Sequence, residues 1–164
     1  MIPVKVLAVR YVNNAAPALL EGLGAGTGQR SIAMLTTDCD DATYIALDAA
    51  TKAADVEVIY GRSFYAGAAN ASTPNAGEVI GILVGATPGA VRSGMEAALG
   101  ALKRIGFEEV DGVPYLAHTV SSVGTFLAKV AGVSPGSAIC YLIEPPLEGM
   151  YALDKAMKAA DVKL

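Results

Sequence analysis

The chain has 164 residues, 53% hydrophobic and 17% charged, with a mean hydropathy of +0.45, which allows one large domain or two small ones. Its net charge of −4 and pI near 4.9, without a basic cluster, disfavour nucleic-acid binding, because a phosphate-binding surface needs concentrated lysine and arginine. No apolar run reaches the roughly 18 residues of a membrane span and the start lacks a secretory signal, so we expect a cytoplasmic protein that buries apolar surface in an assembly.

The order of apolar and turn-forming residues predicts an alternation of strands and helices. The first predicted elements are a strand at Val4–Arg10, a short helix over 15–23 and a strand at Ser31–Thr36. Three aspartates then stand where the N-terminal amides of a helix favour a negative charge, namely Asp38, Asp40 and Asp41. The later predicted elements are a helix over 42–54, strands over 56–60 and 78–84, and a helix that Thr87 caps, that Pro88 opens and that ends near Arg104, where Gly106 stops it.

An internal repeat organises the chain. Shifted by 106 residues, Ala46–Val58 lies over Ala152–Leu164 with nine of thirteen positions identical. The same shift pairs Ser31 with Ser137, and a slightly larger one pairs Leu7-Ala8 with Leu116-Ala117. The sequence therefore predicts two tandem copies of one strand-helix-strand plan. Copy one covers residues 1–106, copy two covers 115–164, and residues 107–114 are the joint.

Two lysines occupy the same place in both copies. Lys52 and Lys158 each precede Ala-Ala-Asp-Val, where small neighbours leave the lysine side chain projecting. A solvated lysine at a helix end explains such a residue without any further role. The alternative is a contact between assembled molecules.

Several runs of the sequence resemble those of a known family. The Lys-Ala-Ala-Asp-Val passage is similar to the helix-to-strand passage of bacterial microcompartment shell domains, in which that lysine lines the edge where hexagonal tiles meet. The order of elements is circularly permuted, since the strand Val4–Arg10 precedes the unit instead of closing it. With the runs 37–44, 57–69 and 145–148, this permutation resembles the L-type tandem shell proteins of ethanolamine-utilisation microcompartments. The resemblance covers almost the whole chain and implies an α/β (α+β) fold of tandem, circularly permuted shell domains.

The second copy is shorter than the first. Copy one continues beyond Val58 through a loop, another strand and a long helix, whereas the sequence stops at Leu164, where the equivalent strand begins. The resemblance implies two complete copies, so we expect an incomplete second repeat and a chain that is truncated, proteolysed or incompletely recorded. A domain without that strand and helix would leave backbone groups unpaired and apolar surface bare.

The resemblance implies a structural function. The expected protein is a homotrimer that mimics a hexamer, tiles with other shell proteins into the microcompartment shell in the cytoplasm, and passes small polar metabolites such as ethanolamine. No enzyme activity, cofactor, metal, nucleic acid or membrane is implied. A ligand-binding regulatory α/β oligomer is the alternative, because repeated small α/β units also build sensors whose sites lie between copies.

Small pores are also implied, one between the two copies of each chain. By the resemblance, Asp40, Glu78 and Glu148 would line this pore, with Phe107 beside it. Structural roles are the alternative: helix capping for Asp40, a strand start facing water for Glu78, and a first-turn helix carboxylate for Glu148.

A wider pore is implied on the threefold axis. Residues 62–77 are rich in Gly, Ala, Asn, Ser and Pro and too long for a tight hairpin, and loops of this length are usually functional or mobile. By the resemblance, this segment would approach the central pore through Tyr65, Ala66 and Gly67. A plain surface loop is the alternative.

Little in the sequence favours an enzyme. His118, the only histidine, lies in a predicted strand without a Cys or Ser partner at catalytic spacing, so a structural role is the simpler interpretation. Cys39 and Cys140 have no metal-ligand spacing and are expected to be free thiols, unless folding brings them together. The glycines between residues 22 and 28 follow a helix and lack the Lys-Ser/Thr pair of a phosphate-binding loop.

Overall fold

The computed structural model describes residues 1–63 and 79–164, which form two four-stranded antiparallel sheets and five helices. In spatial order, the first sheet contains β2 (Val6–Val12), β3 (Ser31–Thr37), β5 (Val79–Gly85) and β4 (Glu57–Ser63). The second contains β1 (Ile2–Pro3), β6 (Gly106–Val110), β7 (Val113–Val120) and β8 (Ile139–Ile143). The helices are α1 (Pro17–Gly22), α2 (Asp40–Ala53), α3 (Pro88–Leu102), α4 (Thr125–Ala131) and α5 (Pro146–Ala159).

The predicted α/β fold is confirmed, and the predicted elements of copy one are present with boundaries shifted by a few residues. The cap of α3 is as predicted, because the Thr87 hydroxyl accepts the N–H of Ala90 at 3.1 Å. The end of α3 differs: the helix stops at Leu102, and Gly106 begins β6 instead of terminating a helix. Gly106 pairs with Pro3, and a Cβ added there would lie 2.7 Å from the carbonyl oxygen of Ile2, so this close approach requires glycine.

Each copy contains the same antiparallel strand pair followed by a helix. Ala8 lies opposite Thr36 in copy one, and Ala117 lies opposite Leu142 in copy two. The shifts of 109 and 106 residues found in the sequence therefore reproduce the strand register. Both ends of helix α5 lie 106 residues after the corresponding ends of α2.

The predicted joint, residues 107–114, is a hairpin. It contains most of β6, a turn in which Asp111 and Gly112 both have positive φ, and the start of β7. Strand β6 lies between β1 and β7. The first residues of the chain therefore add a strand to the sheet of copy two.

The core lies mainly in copy one, where α2 and α3 pack side by side over the first sheet. Small residues permit this close packing, since a Cβ added at Gly81 would lie 2.8 Å from the Leu47 side chain and one at Gly94 would lie 2.9 Å from Val56. Helix α2 buries seven residues, whereas α5 buries none. Among the described residues, no counterpart of α3 covers α5, so its apolar side chains face solvent.

Candidate functional site

The start of α2 carries the first predicted pore residue, Asp40. The turn from β3 into α2 is held by buried hydroxyls: Thr37 and Thr43 share a 2.6 Å hydrogen bond, and Thr37 Oγ1 accepts the N–H of Cys39 at 3.1 Å. Asp40 and Asp41 form the acidic first turn of the helix, where the helix dipole favours negative charge. Asp38 does not join them, because its Oδ1 accepts the N–H of Lys5 at 2.8 Å.

Four polar side chains from both copies interact electrostatically near this turn. Asp40 and Asp41 belong to copy one, as does Tyr44, while Tyr141 lies on β8 of copy two. Burial first, and then the Asp40 charge, raise the pKa of the Asp41 carboxyl and of the Tyr44 phenol. Burial and the Asp41 charge raise the pKa of Tyr141 to about 12. Both phenols are therefore protonated at neutral pH.

The structure places the other predicted small-pore residues on different elements. Phe107 lies on β6, opposite Ile2, and packs half-buried against the main core. Glu148 is exposed in the first turn of α5. Glu78 lies outside the described residues. The structure thus places Asp40 within electrostatic range of Tyr141 in copy two, and leaves Glu148 on the surface of copy two.

The predicted central-pore residues Tyr65, Ala66 and Gly67 also lie outside the described residues.

Sequence reasoning did not identify a further carboxylate near the end of β8. Glu144 stands 106 residues after Asp38, so the two are equivalent in the repeat. Its Oε1 atom is buried and has no hydrogen-bond partner in the described part of the chain. The residue that the 109-residue shift pairs with Lys5 is Pro114, which has no N–H to donate. At this position copy two therefore lacks the N–H donor that pairs with Asp38 in copy one.

The two repeated lysines have the same helical partner but different surroundings. Lys52 Nζ lies 2.9 Å from Asp48 Oδ2 and also donates to the carbonyl oxygen of Ser122 in copy two at 2.9 Å. Lys158 Nζ lies 2.7 Å from Asp154 Oδ2, and both side chains are exposed. The lysine of copy one therefore bridges to copy two, while its side chain is still 43% exposed.

Asp48 is the main structural residue that sequence reasoning missed. Its side chain is 1% exposed and accepts the N–H of Gly124 at 2.8 Å and that of Leu127 at 3.0 Å. Helix α4 has no capping side chain of its own, so a carboxylate from copy one caps a helix of copy two. The signal available in the sequence was the identity of Asp48 and Asp154 within the repeat.

Both cysteines are free thiols in this structure. Cys39 is buried, and burial raises its pKa to about 11, with the neighbouring aspartates adding to the shift. Its reactive thiolate form is therefore scarce at neutral pH. Cys140 lies exposed on β8.

The described residues contain no group of three or more His, Cys, Asp or Glu side chains that could hold a metal ion. His118 lies half-buried on β7, where burial and the Arg104 charge lower its pKa. Of the helices in the described ranges, none is long and apolar enough to cross a membrane.

The chain is similar to known proteins in sequence and in fold. Residues 31–113 match the family described as the BMC domain. Over 168 aligned residues the chain is 50% identical to the bacterial microcompartment shell protein EutL of Clostridium perfringens and 41% identical to EutL of Salmonella typhimurium, covering 100% of this chain and 77% of each relative. The crystal structure of ethanolamine utilization protein EutL from Leptotrichia buccalis superposes with a TM-score of 0.88 at 52% identity, over 99% of this chain and 77% of that one.

Proposed function

Because the chain belongs to the EutL-type family of bacterial microcompartment shell proteins, which are structural proteins and not enzymes, we propose that it forms a trimer with pseudohexagonal symmetry. The observation that carries this proposal is the internal repeat. Two equivalent copies per chain, related in strand register and helix position, allow three chains to fill six equivalent places in a ring. The trimer tiles with other shell proteins into the microcompartment shell in the cytoplasm.

Lys52 and Lys158 contribute to the edges of these tiles. Both lysines precede the two alanines of a helix end and keep their side chains partly or largely exposed. An ammonium group at an edge can donate hydrogen bonds to the backbone carbonyls of a neighbouring tile.

Electron microscopy of the overproduced protein tests the shell function. The wild type is expected to form extended layers or tubes, and Lys158→Glu is expected to abolish them, because it places negative charge against carbonyl and carboxylate oxygens. Lys155→Glu, with the same charge change on the same helix, is the control and should still form layers. Lys158 is the better test residue, since Glu at position 52 would stand beside the buried Asp48 carboxylate.

Discrete soluble oligomers from the wild type would instead support the regulatory alternative. Unchanged layers from Lys158→Glu would contradict the edge role of the lysine.

We further propose that the boundary between the copies is a passage for a small cation, and that ethanolamine is its cargo. Asp40 and Glu78 attract the protonated amine, while Glu148 and Phe107 complete the wall. The Tyr44 and Tyr141 phenols support this role, because both are neutral, both interact electrostatically with Asp40 and Asp41, and a phenol can bind the hydroxyl of an amino alcohol. The segment containing Tyr65, Ala66 and Gly67 borders the central pore.

Ethanolamine binding can be followed by NMR. Titration is expected to shift the backbone amides of Asp40, Asp41 and Tyr141 with weak affinity, because a transport site that holds its cargo tightly conducts poorly. Asp40→Asn and Glu78→Gln should each weaken binding by about threefold or more, and added salt should weaken it further. The exposed Glu96→Gln on α3 removes the same charge elsewhere and should bind like the wild type. Equal binding by all variants, or no shift near Asp40, would show that the carboxylates only stabilise the helix start.

A further inference from the structure

A small cavity lies where the end of α2 meets copy two. Its volume is about 180 Å³, and its walls come from the last turns of α2, the end of α3 and the end of β7 with the residues that follow it. A single water needs about 10–15 Å³ of such space, so a phosphate-sized group fits here together with water. The polar residues of the lining are Lys52, Arg104, His118, Thr119, Ser121 and Ser122, and the other lining residues are aliphatic.

The Arg104 guanidinium has no counter-charge in the described part of the chain, since no salt bridge between residues 1–63 and 79–164 includes it. Its Nη1 atom lies 3.9 Å from where a Cβ would stand at Gly100, so the side chain lies along α3. An arginine near a helix C-terminus often donates to the last carbonyls of that helix, but within these ranges Arg104 makes no such side-chain hydrogen bond. Its donors are therefore available to a ligand.

Lys52 brings a second positive group to the same cavity. Its Nζ lies 2.9 Å from Asp48 Oδ2 and donates to the carbonyl oxygen of Ser122 at 2.9 Å. These two contacts fix the ammonium at the cavity wall and leave one of its three donors. Because Asp48 balances the charge of Lys52, the uncompensated positive charge of the cavity is that of Arg104.

His118 is the titratable group of the wall. It lies half-buried on β7, opposite Tyr141 of β8. Burial, and then the Arg104 charge, lower its pKa, so the imidazole is neutral at neutral pH and has one N–H to donate. An anion between the imidazole and Arg104 would offset the arginine charge and favour the protonated imidazole.

We propose that this cavity binds a small tetrahedral oxyanion, a phosphate or sulfate group. Arg104 is the main ligand, because a guanidinium presents paired donors that match two oxygens of such a group. The Lys52 ammonium and the His118 imidazole donate to the other oxygens. The hydroxyl groups of Ser121 and Ser122 are further donors. The bound anion ties copy one to copy two within one chain, so the site depends neither on the proposed trimer nor on the proposed cation passage.

Sulfate titration followed by NMR tests the site. Sulfate is expected to shift the backbone amides of Arg104, His118 and Ser122 with millimolar affinity, whereas sodium chloride at the same ionic strength should not. Sulfate keeps its charge across the pH range in which histidine titrates, so any pH dependence comes from the protein. Binding should tighten by about threefold or more as the pH falls through the pKa of His118, and sulfate should raise that pKa.

Two substitutions and a matched control test the ligands. Arg104→Gln should weaken sulfate binding about tenfold or more, because it removes the charged, paired donor. Lys103→Gln removes the same charge one residue earlier, outside the lining, and should bind like the wild type. Both side chains are exposed, so both variants should fold. His118→Gln retains a donor and should still bind at neutral pH, but its affinity should no longer depend on pH.

Inorganic phosphate and glycerol 3-phosphate distinguish the source of the bound group. Tighter binding of the ester at the same amides would assign the site to the phosphate of an organic molecule, and tighter binding of inorganic phosphate would assign it to the free ion. Equal sulfate binding by Arg104→Gln and the wild type, or shifts that sodium chloride reproduces, would overturn the site. Either of these results would leave the trimer and the cation passage unaffected.

Discussion

Asp48→Ala is expected to lower the free energy of unfolding by about 2–4 kcal/mol, measured by urea denaturation. The carboxylate is buried and bonded to two backbone N–H groups, so its removal leaves the Gly124 and Leu127 donors unpaired beneath α2. It also removes the ion-pair partner of Lys52. Asp48 joins copy one to copy two. The loss of stability should therefore first weaken the attachment of α4 to α2, before the first sheet unfolds.

Asp55→Ala is the matched control for this loss. Asp55 is exposed just beyond α2, and its truncation should change the free energy of unfolding by less than about 0.5 kcal/mol. Hydrogen exchange should show faster exchange of the Leu127 amide in Asp48→Ala. Equal stability of Asp48→Ala and Asp55→Ala would mean that the capping contact contributes nothing to the junction between copies.

The sequence predicted the parts of the fold that depend on local pattern. Periodicity placed the strands and helices of copy one, and the sequence shifts between the copies carry the register of β2 on β3 onto that of β7 on β8. The cap at Thr87 followed from residue type alone.

Contacts between distant segments could not be predicted in this way. The pairing of Ile2–Pro3 with β6 involves two residues that have no periodic signal. Asp48 resembled any solvated helix residue, since only the arrival of α4 buries it. Likewise the electrostatic interaction of Tyr141 with Asp40 and Asp41 depends on how the two copies pack together.

Leu47→Ala is expected to lower the free energy of unfolding by about 2–5 kcal/mol, the cost of a large-to-small change in a closed core. The Leu47 side chain is fully buried and fills the space above two strand glycines: a Cβ would lie 2.8 Å from it at Gly81 and 3.5 Å from it at Gly61. Backbone this close cannot collapse into the cavity, so the loss should lie in the upper part of that range.

The repeat supplies the control for this substitution in Leu153, which occupies the same position of α5. Leu153 is only half-buried, because the described residues contain no counterpart of β4, β5 and α3 around α5. Leu153→Ala should therefore cost about 1 kcal/mol or less by the same urea titration, with an unchanged denaturant slope. Equal losses for the two leucines would show that both copies contribute equally to the core in solution, contrary to the asymmetry of the structure.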